Sequence, residues 1–283
     1  MAKTSIQGQY LTGERASFAL ADAHITQSMF AKGESPLKHG RGLNIDHTIF
    51  EWKYPLWYSQ DVTLEDSALL DTARSGPWYV DTATLKRVLI AAPKTFRYSK
   101  HLTLEDVDIP DASETLWWCD DVTLSRVSVR GDYFGMNSSH IKANDLKITG
   151  NYAFDSGHDI EITNSKLLSK DALWNCHDVV VRDSILIGEY LGWNSRNLTF
   201  IDCIIESLQG LCFIENLVMR NCRLLNTTLA FEYSTVDAEL IGGIDSIINP
   251  TSARITADSI GDVTLDPTRI DPAATIITLR GNQ

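Results

Sequence analysis

The stretch from His158 to Tyr233 decides the fold, because it divides into four segments of 19 residues that align with one another. The segments begin HDIEITNSKL at His158, HDVVVRDSIL at His177, RNLTFIDCII at Arg196 and ENLVMRNCRL at Glu215. A fixed repeat of this length indicates a solenoid, since each repeat can bury its apolar side only by stacking on its neighbours. The sequence therefore predicts a stack of similar coils.

Each segment carries the same short pattern of apolar residues. Two apolar residues separated by one position are followed by a small residue and then by another apolar residue, as in Ile160, Ile162, Ser165 and Leu167. Alternation with a period of two predicts a β-strand, and the change of phase at the small residue predicts a bend before a second short strand. A helix would not give this pattern.

The pattern extends to both sides of this stretch. Its leading apolar residue recurs every 19 to 21 residues, at Leu43, Val62, Ala83, Leu102, Val122 and Ile141 before Ile160, and at Val236 and Ile255 after Leu217. We expect about a dozen coils of roughly 19 residues in one all-β domain. In this interpretation residues 1–17 are an N-terminal lead-in or cap, residues 18–260 are coils, and residues 261–283 are a C-terminal cap or tail.

The type of solenoid follows from the repeat. A left-handed β-helix requires a hexapeptide repeat, and a pentapeptide solenoid places an inward residue at every fifth position. Neither fits coils of 19 to 21 residues with this spacing. The sequence therefore favours a single-stranded right-handed parallel β-helix.

Composition narrows the classes of partner. The formal net charge is -12, which disfavours nucleic acid and anionic membrane surfaces as partners. No apolar run approaches the roughly 20 residues of a membrane span, and the N-terminus has no apolar run of the signal-peptide type. We expect a cytoplasmic protein, and the sequence leaves a homo-oligomer open.

The five cysteines are best explained as core residues. Cys203 and Cys222 share one column of adjacent coils, and Cys119 and Cys176 share another, as small apolar residues do inside a solenoid. No CxxC spacing indicates zinc or a redox pair. A calcium site would need several converging oxygen ligands, which the sequence does not show. We expect no metal and no cofactor.

Aromatic and amide residues gather in the second half of each coil. One column holds five tryptophans, and the next column holds further rings and amides: Trp57, Trp78, Trp117, Trp174 and Trp193, then Tyr58, Tyr79, Tyr98, Trp118, Asn137, Asn175 and Asn194. Either the rings stack inside the coil beside an amide ladder at a turn, or they face solvent and bind sugar rings. The first column also holds Arg97 and Asp155, whose unpaired charges would be costly in a dry interior. This favours a strip that is at least partly open.

Carboxylates lie on the same side. Asp171 and Glu189 stand 18 residues apart and should project from neighbouring coils. Two carboxyl groups about 5 to 9.5 Å apart can serve as the acid and the base or nucleophile of glycoside hydrolysis, with Asp155 in support. The alternative interpretation is that these carboxylates belong to exposed turn residues. The expected sugar-binding residues are Trp174, Asn175, Trp193, Asn194, Trp117, Tyr190 and Glu232.

Several motifs resemble those of a known bacterial family. They include GERASF at 13–18, WKYPLWY at 52–58, SETLWWC at 113–119, SKDALWN at 169–175, GEYLGWNS at 188–195 and LAFEYS at 229–234. The chain resembles a family catalogued as a domain of unknown function. The resemblance implies a right-handed β-helix of pectin-lyase-like architecture and implies no activity.

Together these features predict a protein that binds an oligosaccharide or small carbohydrate in a lateral groove. We expect it to cleave or modify that ligand, as a glycoside hydrolase or polysaccharide lyase does. A non-catalytic scaffold or sugar-binding module is the alternative.

Overall fold

A computed structural model describes residues 4–281 of the 283-residue chain. They form a parallel β-solenoid of about 15 coils with roughly 19 residues per coil. Within this range the only helical segment is a short 3₁₀ turn, Pro272–Ala274. The predicted all-β solenoid and its repeat length are confirmed, with about 15 coils where about a dozen were expected.

Two compact units divide the chain, Met1–Lys147 and Ile148–Gln283. In the first unit the strands are β1 (Thr4–Gln7), β2 (Tyr10–Leu11), β3 (Ala21–Thr26), β4 (Met29–Phe30), β5 (Arg41–Asp46), β6 (Ile49–Phe50), β7 (Gln60–Glu65), β8 (Ala68–Leu69), β9 (Asp81–Lys86), β10 (Leu89–Ile90), β11 (Lys100–Ile109) and β12 (Asp120–Arg130). The boundary falls within β13 (Ser139–Thr149). That the chain is a single domain stays a prediction.

The second unit continues the same alternation of strands. They are β14 (His158–Thr163), β15 (Lys166–Leu168), β16 (His177–Arg182), β17 (Ile185–Ile187), β18 (Arg196–Ile201), β19 (Ile204–Glu206), β20 (Glu215–Leu225), β21 (Thr235–Leu240), β22 (Gly243–Ile248), β23 (Ser252–Ala257), β24 (Ser259–Thr264) and β25 (Thr275–Leu279). Within each unit, strands one coil apart pair in parallel.

The register of these pairs places like residues above like. In the first unit Leu43 pairs with Val62 and Val62 pairs with Ala83. In the second unit Val179 pairs with Leu198, which pairs with Leu217. These leading residues are all buried. The period-two pattern therefore describes the core of both units correctly.

The ladder is longer than the sequence pattern indicated. β1 pairs with β3, so the first coil begins inside the stretch expected to be a lead-in, and β25 pairs with β23 beyond residue 261. Ile255, expected to be the leading residue of its coil, lies two residues beyond that position. Val236 pairs with Ala253, and Ile255 pairs with Ala238, because that coil is two residues shorter than its neighbours.

Left-handed residues turn the chain into each strand. The residue before the leading apolar position has a φ between 50° and 64° in nine consecutive coils: Asp61, Thr82, His101, Asp121, His140, Asp159, Asp178, Asn197 and Asn216. Asp and Asn tolerate this conformation better than most residues do. The backbone therefore favours the acidic and amide residues that fill six of these nine positions, and Thr82, His101 and His140 fill the other three.

All five cysteines are free and buried, as expected for core residues. The thiols of Cys119 and Cys176 donate to the carbonyl oxygens of Phe96 and Phe154, each at 2.9 Å. Burial raises the pKa of Cys119 to about 12. This thiol is therefore protonated at neutral pH.

Candidate functional site

The tryptophan column is half-buried, and most of its indoles hold the neighbouring coil. Nε1 of Trp78 donates to the carbonyl oxygen of Lys94 at 2.7 Å, and Nε1 of Trp117 donates to that of Tyr133 at 2.6 Å. In the second unit Nε1 of Trp174 donates to the carbonyl oxygen of Tyr190 at 2.7 Å. These bonds fasten the irregular loop of the next coil. The column therefore has a structural role in addition to any contact with a ligand.

Arg97 does not mark an open strip. Its guanidinium carbon lies 5.0 Å from the ring centroid of Trp78 and 4.3 Å from that of Trp117. Nη2 bonds Oε2 of Glu114 at 2.5 Å, and only 13% of the Arg97 side chain is exposed. The charge is thus balanced by a carboxylate and two indole faces. The expectation that this charge requires an open groove is wrong at this coil.

The column beside it forms an exposed aromatic stack in the first unit. Successive ring centroids of Tyr58, Tyr79, Tyr98 and Trp118 lie 4.7, 5.3 and 5.0 Å apart, and the planes differ by no more than 9°. Each ring is 39 to 46% exposed. Because neighbours cover the ring faces, the stack presents ring edges to solvent. A sugar that packs on an aromatic face therefore finds no free face on Tyr58, Tyr79 or Tyr98.

The second unit contains an open groove of about 480 Å³. One wall carries Asn175, Asn194 and Phe213, and the other carries His177, Arg196 and Glu215; buried Cys176, Ser195 and Ile214 lie between them as the floor, and Tyr233 and Thr235 follow in the next coil. Each wall is a column of side chains, one from each of three consecutive coils, because these coils are in register. We refer to these eleven residues as the groove.

The first wall is an amide ladder that ends at a ring. Nδ2 of Asn175 donates to Oδ1 of Asp155 at 2.9 Å, and Nδ2 of Asn194 donates to Oδ1 of Asn175 at 2.8 Å. One face of Phe213 stacks on Trp193 at 5.2 Å and 4°. The other meets Tyr233 at a tilt of 42°, so no parallel ring closes it.

The second wall carries charged groups. Nδ1 of His177 lies 2.8 Å from Oδ2 of Asp178, and the hydrogen bond from His177 lowers the pKa of that carboxyl, helped by Asn197. Arg196 and Glu215 are register partners in adjacent coils, and both are exposed. No ion pair joins these two side chains in the described structure, so both charges are available to a ligand.

Asp171 and Glu189 lie outside the groove. Asp171 is 2% exposed, and its Oδ1 has no hydrogen-bond partner within residues 4–281. Burial raises the pKa of this carboxyl. The carboxylate of Glu189 is about half exposed and lies 3.1 Å from Nζ of Lys170. A backbone bond of 2.9 Å from Asp171 N to Glu189 O confirms that the two residues are in neighbouring coils.

The structure thus separates the residues that the sequence grouped. Asn175 and Asn194 line the groove, while Asp155 accepts a hydrogen bond from Asn175 and Trp193 stacks on Phe213. Trp174 and Tyr190 cluster near Asp171 and Glu189, and Glu232 lies 3.9 Å from Arg269 through its carboxylate. Trp117 is in the first unit. The catalytic and sugar-binding roles of these residues stay predictions.

Only two of the eleven groove residues, Asn175 and Asn194, were among the expected site residues. In the sequence, His177 stacks above His158 as a possible base and Phe213 follows Asn194 in the same column, but neither was assigned to the site. Arg196, Glu215 and Tyr233 were not singled out. A search for charged and aromatic residues that flank the buried column of small and apolar residues would have found all five. Within residues 4–281 no three His, Cys, Asp or Glu side chains converge as a metal site requires.

A family model described as "Protein of unknown function (DUF3737)" matches residues 4–278 of the chain. No curated protein matches the sequence. In structure the chain is similar to a double mutant of the tailspike protein of E. coli bacteriophage HK620. The TM-score is 0.50 at 7% identity, over 97% of this chain and 74% of that one. This likeness shows the β-helix fold alone.

Two further solved structures have lower scores. PfbA, a surface adhesin of Streptococcus pneumoniae, gives a TM-score of 0.34 at 8% identity, over 94% of this chain and 84% of that one. The A-module of the Azotobacter vinelandii mannuronan C-5 epimerase AlgE4 gives 0.30 at 9% identity, over 99% and 90%. The described part of the chain contains no helix long and apolar enough to cross a membrane.

Proposed function

The chain belongs to the DUF3737 family, and from the geometry of its groove we propose that it binds a carbohydrate there. The groove has the volume of a small-molecule site, for which about 300 to 1,000 Å³ is usual. It runs past several coils and is open to solvent, which suits a short oligosaccharide better than a compact, fully enclosed ligand.

The wall of amides and aromatic rings carries the proposal. A sugar presents hydroxyl groups, which both donate and accept hydrogen bonds, and an apolar face of C–H groups. Asn175 and Asn194 supply amide groups for the hydroxyls, and the partly open face of Phe213 supplies an apolar surface next to them.

The opposite wall adds polar contacts to the same ligand. Arg196 offers a hydrogen-bond donor and Glu215 an acceptor in the adjacent coil, and no ion pair joins the two side chains in the described structure. The protein as a whole carries a net charge of -12, which opposes a polyanionic ligand. We therefore propose a neutral oligosaccharide as the ligand.

Calorimetric titration with a set of neutral and acidic oligosaccharides tests the proposal. Phe213→Ala should weaken binding about 2- to 10-fold, because an aromatic contact is worth about 0.5 to 1.5 kcal/mol. Asn194→Ala should weaken it similarly through the loss of a hydrogen bond. Tyr98→Ala is the matched control, since it removes a stacked ring away from the groove that is 46% exposed, against 37% for Phe213.

Two results would contradict the proposal. One is that no saccharide binds to the wild-type protein, which would favour a scaffold without a sugar ligand. The other is that the Phe213 and Asn194 variants bind as tightly as the Tyr98 variant does. Calorimetry is preferred to intrinsic fluorescence here, because Phe213 stacks on Trp193 and its removal would change the fluorescence directly.

Cleavage or modification of the sugar is a second proposal, of the hydrolase or lyase type. The buried position of Asp171 favours it, because burial keeps a carboxyl protonated to higher pH, as a general acid requires. Glu189 in the neighbouring coil would be the base or nucleophile, and Asp155 would have a supporting role. Asp171 is enclosed and both carboxyl groups lie outside the groove, so catalysis would require the sugar to extend beyond the groove and the loop that contains Asp171 to open.

A further inference from the structure

The amide ladder in the groove has a direction, and one residue fixes it. An ionised carboxylate can only accept hydrogen bonds, so the Asn175 amide must turn its Nδ2 toward Asp155. The Oδ1 of Asn175 then points to the next coil and must accept from Nδ2 of Asn194. Ser156 Oγ also donates to Asp155 Oδ1, at 2.9 Å. Each amide is therefore oriented by the carboxylate at the foot of the ladder.

The upper end of the ladder opens into the groove. Because Nδ2 of Asn194 is used below, its Oδ1 is directed to the coil of Phe213, which has no polar side chain in this column. No donor from residues 4–281 bonds this oxygen. Oδ1 of Asn194 is therefore a hydrogen-bond acceptor inside the groove, next to the Phe213 ring.

A second ladder in the same unit follows the same rule. Nδ2 of Asn197 donates to Oδ1 of Asp178 at 2.7 Å, and Nδ2 of Asn216 donates to Oδ1 of Asn197 at 2.9 Å. Here too an Asp stands below two Asn residues, and every amide donates toward it. The agreement of the two ladders supports the carboxylate as the cause of the direction.

We propose that Asp155 is a positioning residue that sets the specificity of the groove. By holding Asn175 and Asn194 in one orientation, it makes the groove accept a hydrogen bond at Asn194 Oδ1. The bound ligand must place a donor there, such as a hydroxyl or an amide N–H. A ligand with a methyl ether or another acceptor at that point would leave two acceptors facing each other. The class of ligand rests on the proposed function.

Exchanging Asp155 for its amide removes the constraint with almost no change in shape. In Asp155→Asn the ladder can reverse, because the new side chain can donate to Asn175. Asn194 would then present Nδ2 to the groove instead of Oδ1. Asp202→Asn is the matched control, since Asp202 also accepts from the amide of an Asn one coil above, Asn221, and lies outside the groove.

The first measurement needs no ligand. In ¹H–¹⁵N spectra the side-chain amide resonances of Asn175 and Asn194 should shift in Asp155→Asn and stay unchanged in Asp202→Asn. Unchanged resonances of Asn194 in a folded Asp155→Asn protein would overturn the proposal. If that variant does not fold, Asp155→Ser serves in its place, because a hydroxyl can either donate or accept.

The second measurement uses a bound saccharide and derivatives of it in which one hydroxyl at a time is methylated. One derivative will be methylated at the hydroxyl that donates to Asn194 Oδ1. The wild-type protein should bind the parent sugar at least about 10-fold more tightly than it binds this derivative. Asp155→Asn should reduce this preference to within about 3-fold, and Asp202→Asn should retain it. A preference that survives in Asp155→Asn would overturn the proposal. If no saccharide binds at all, the proposed function fails, while the spectra still decide the direction of the ladder.

Discussion

One carboxyl, that of Asp171, stands apart from the other acidic residues. Most acids with a shifted pKa in this protein are exposed and held ionised by hydrogen bonds, as Asp106 is by Arg126. Asp171 is enclosed, and burial raises its pKa. Since the charged form is disfavoured in the folded state, stability falls as the pH rises through the folded-state pKa. A residue that costs stability in this way is a candidate for a functional role.

At pH 7 Asp171→Asn should raise the free energy of unfolding, by on the order of 1 kcal/mol, because it removes a buried carboxylate with an unpaired oxygen. Urea unfolding at pH 7 and pH 4 measures the effect, and the gain should shrink at the lower pH. Glu189→Gln, at a half-exposed carboxyl, is the control and should change stability little. If a substrate is found, both variants should lose turnover. A folded Asp171→Asn protein with full turnover would contradict a catalytic role.

At the scale of elements, columns of side chains stabilise the stack of coils. The exposed rings of Tyr58, Tyr79, Tyr98 and Trp118 form one such column in the first unit. Arg97 between two indoles is part of the column beside it. In the second unit, amide ladders such as Asn175–Asn194 and Asn197–Asn216 link successive coils in the same way. Each member contacts the coils before and after it, so a single substitution removes two contacts.

Tyr79→Ala should therefore lower the free energy of unfolding by about 1 to 3 kcal/mol, from two ring pairs worth about 0.5 to 1.5 kcal/mol each. Denaturant unfolding measures the loss. Tyr10→Ala is the control, because Tyr10 is 69% exposed and has no ring contact in the described structure, and its effect should stay within about 0.5 kcal/mol. Equal effects of the two substitutions would mean that the stack does not contribute to stability.

At the scale of the whole molecule, acidic residues set the response to pH. The chain carries a formal charge of -12, and many of its carboxylates bond basic or polar side chains in the next coil. The hydrogen bond from Thr26, together with those of His47 and His24, lowers the pKa of Asp46 to about 2. Such bonds favour the ionised form of the carboxyl. Their contribution to the stability of the folded state is therefore present above the unfolded-state pKa and is lost on acidification.

The stability of the protein should accordingly fall between about pH 4 and pH 2, the interval between the ordinary pKa of Asp and that of Asp46. Urea unfolding across this interval measures the slope. Asp46→Asn should flatten it, by less than the full shift implies because the carboxyl is partly exposed. Asp61→Asn, at an exposed left-handed position without a side-chain hydrogen bond in the described residues, should leave the slope unchanged. An identical slope in both variants would refute the role of Asp46.

The sequence predicts the coils well and the groove poorly, for physical reasons. The leading residues of the repeat, such as Val179 and Leu198, are buried as expected, because alternation with period two directly reports which side of a strand faces the core. The open surface depends on the loops, where spacing does not reveal which of two neighbouring columns turns outward. Arg97 shows the difficulty, since its neighbours Glu114 and Trp117 balance its charge without any opening.

The loop after Leu69 shows how such a chain can change in length. Val62 and Ala83 are 21 residues apart and Ala83 and Leu102 only 19, yet both pairs are in register. The two additional residues lie between β8 and β9 and leave the strands untouched. A single residue inserted within a strand would instead reverse which side chains face inward. Insertions and deletions in genes for this fold should therefore survive selection in two sizes, as small changes confined to loops or as copies of an entire coil.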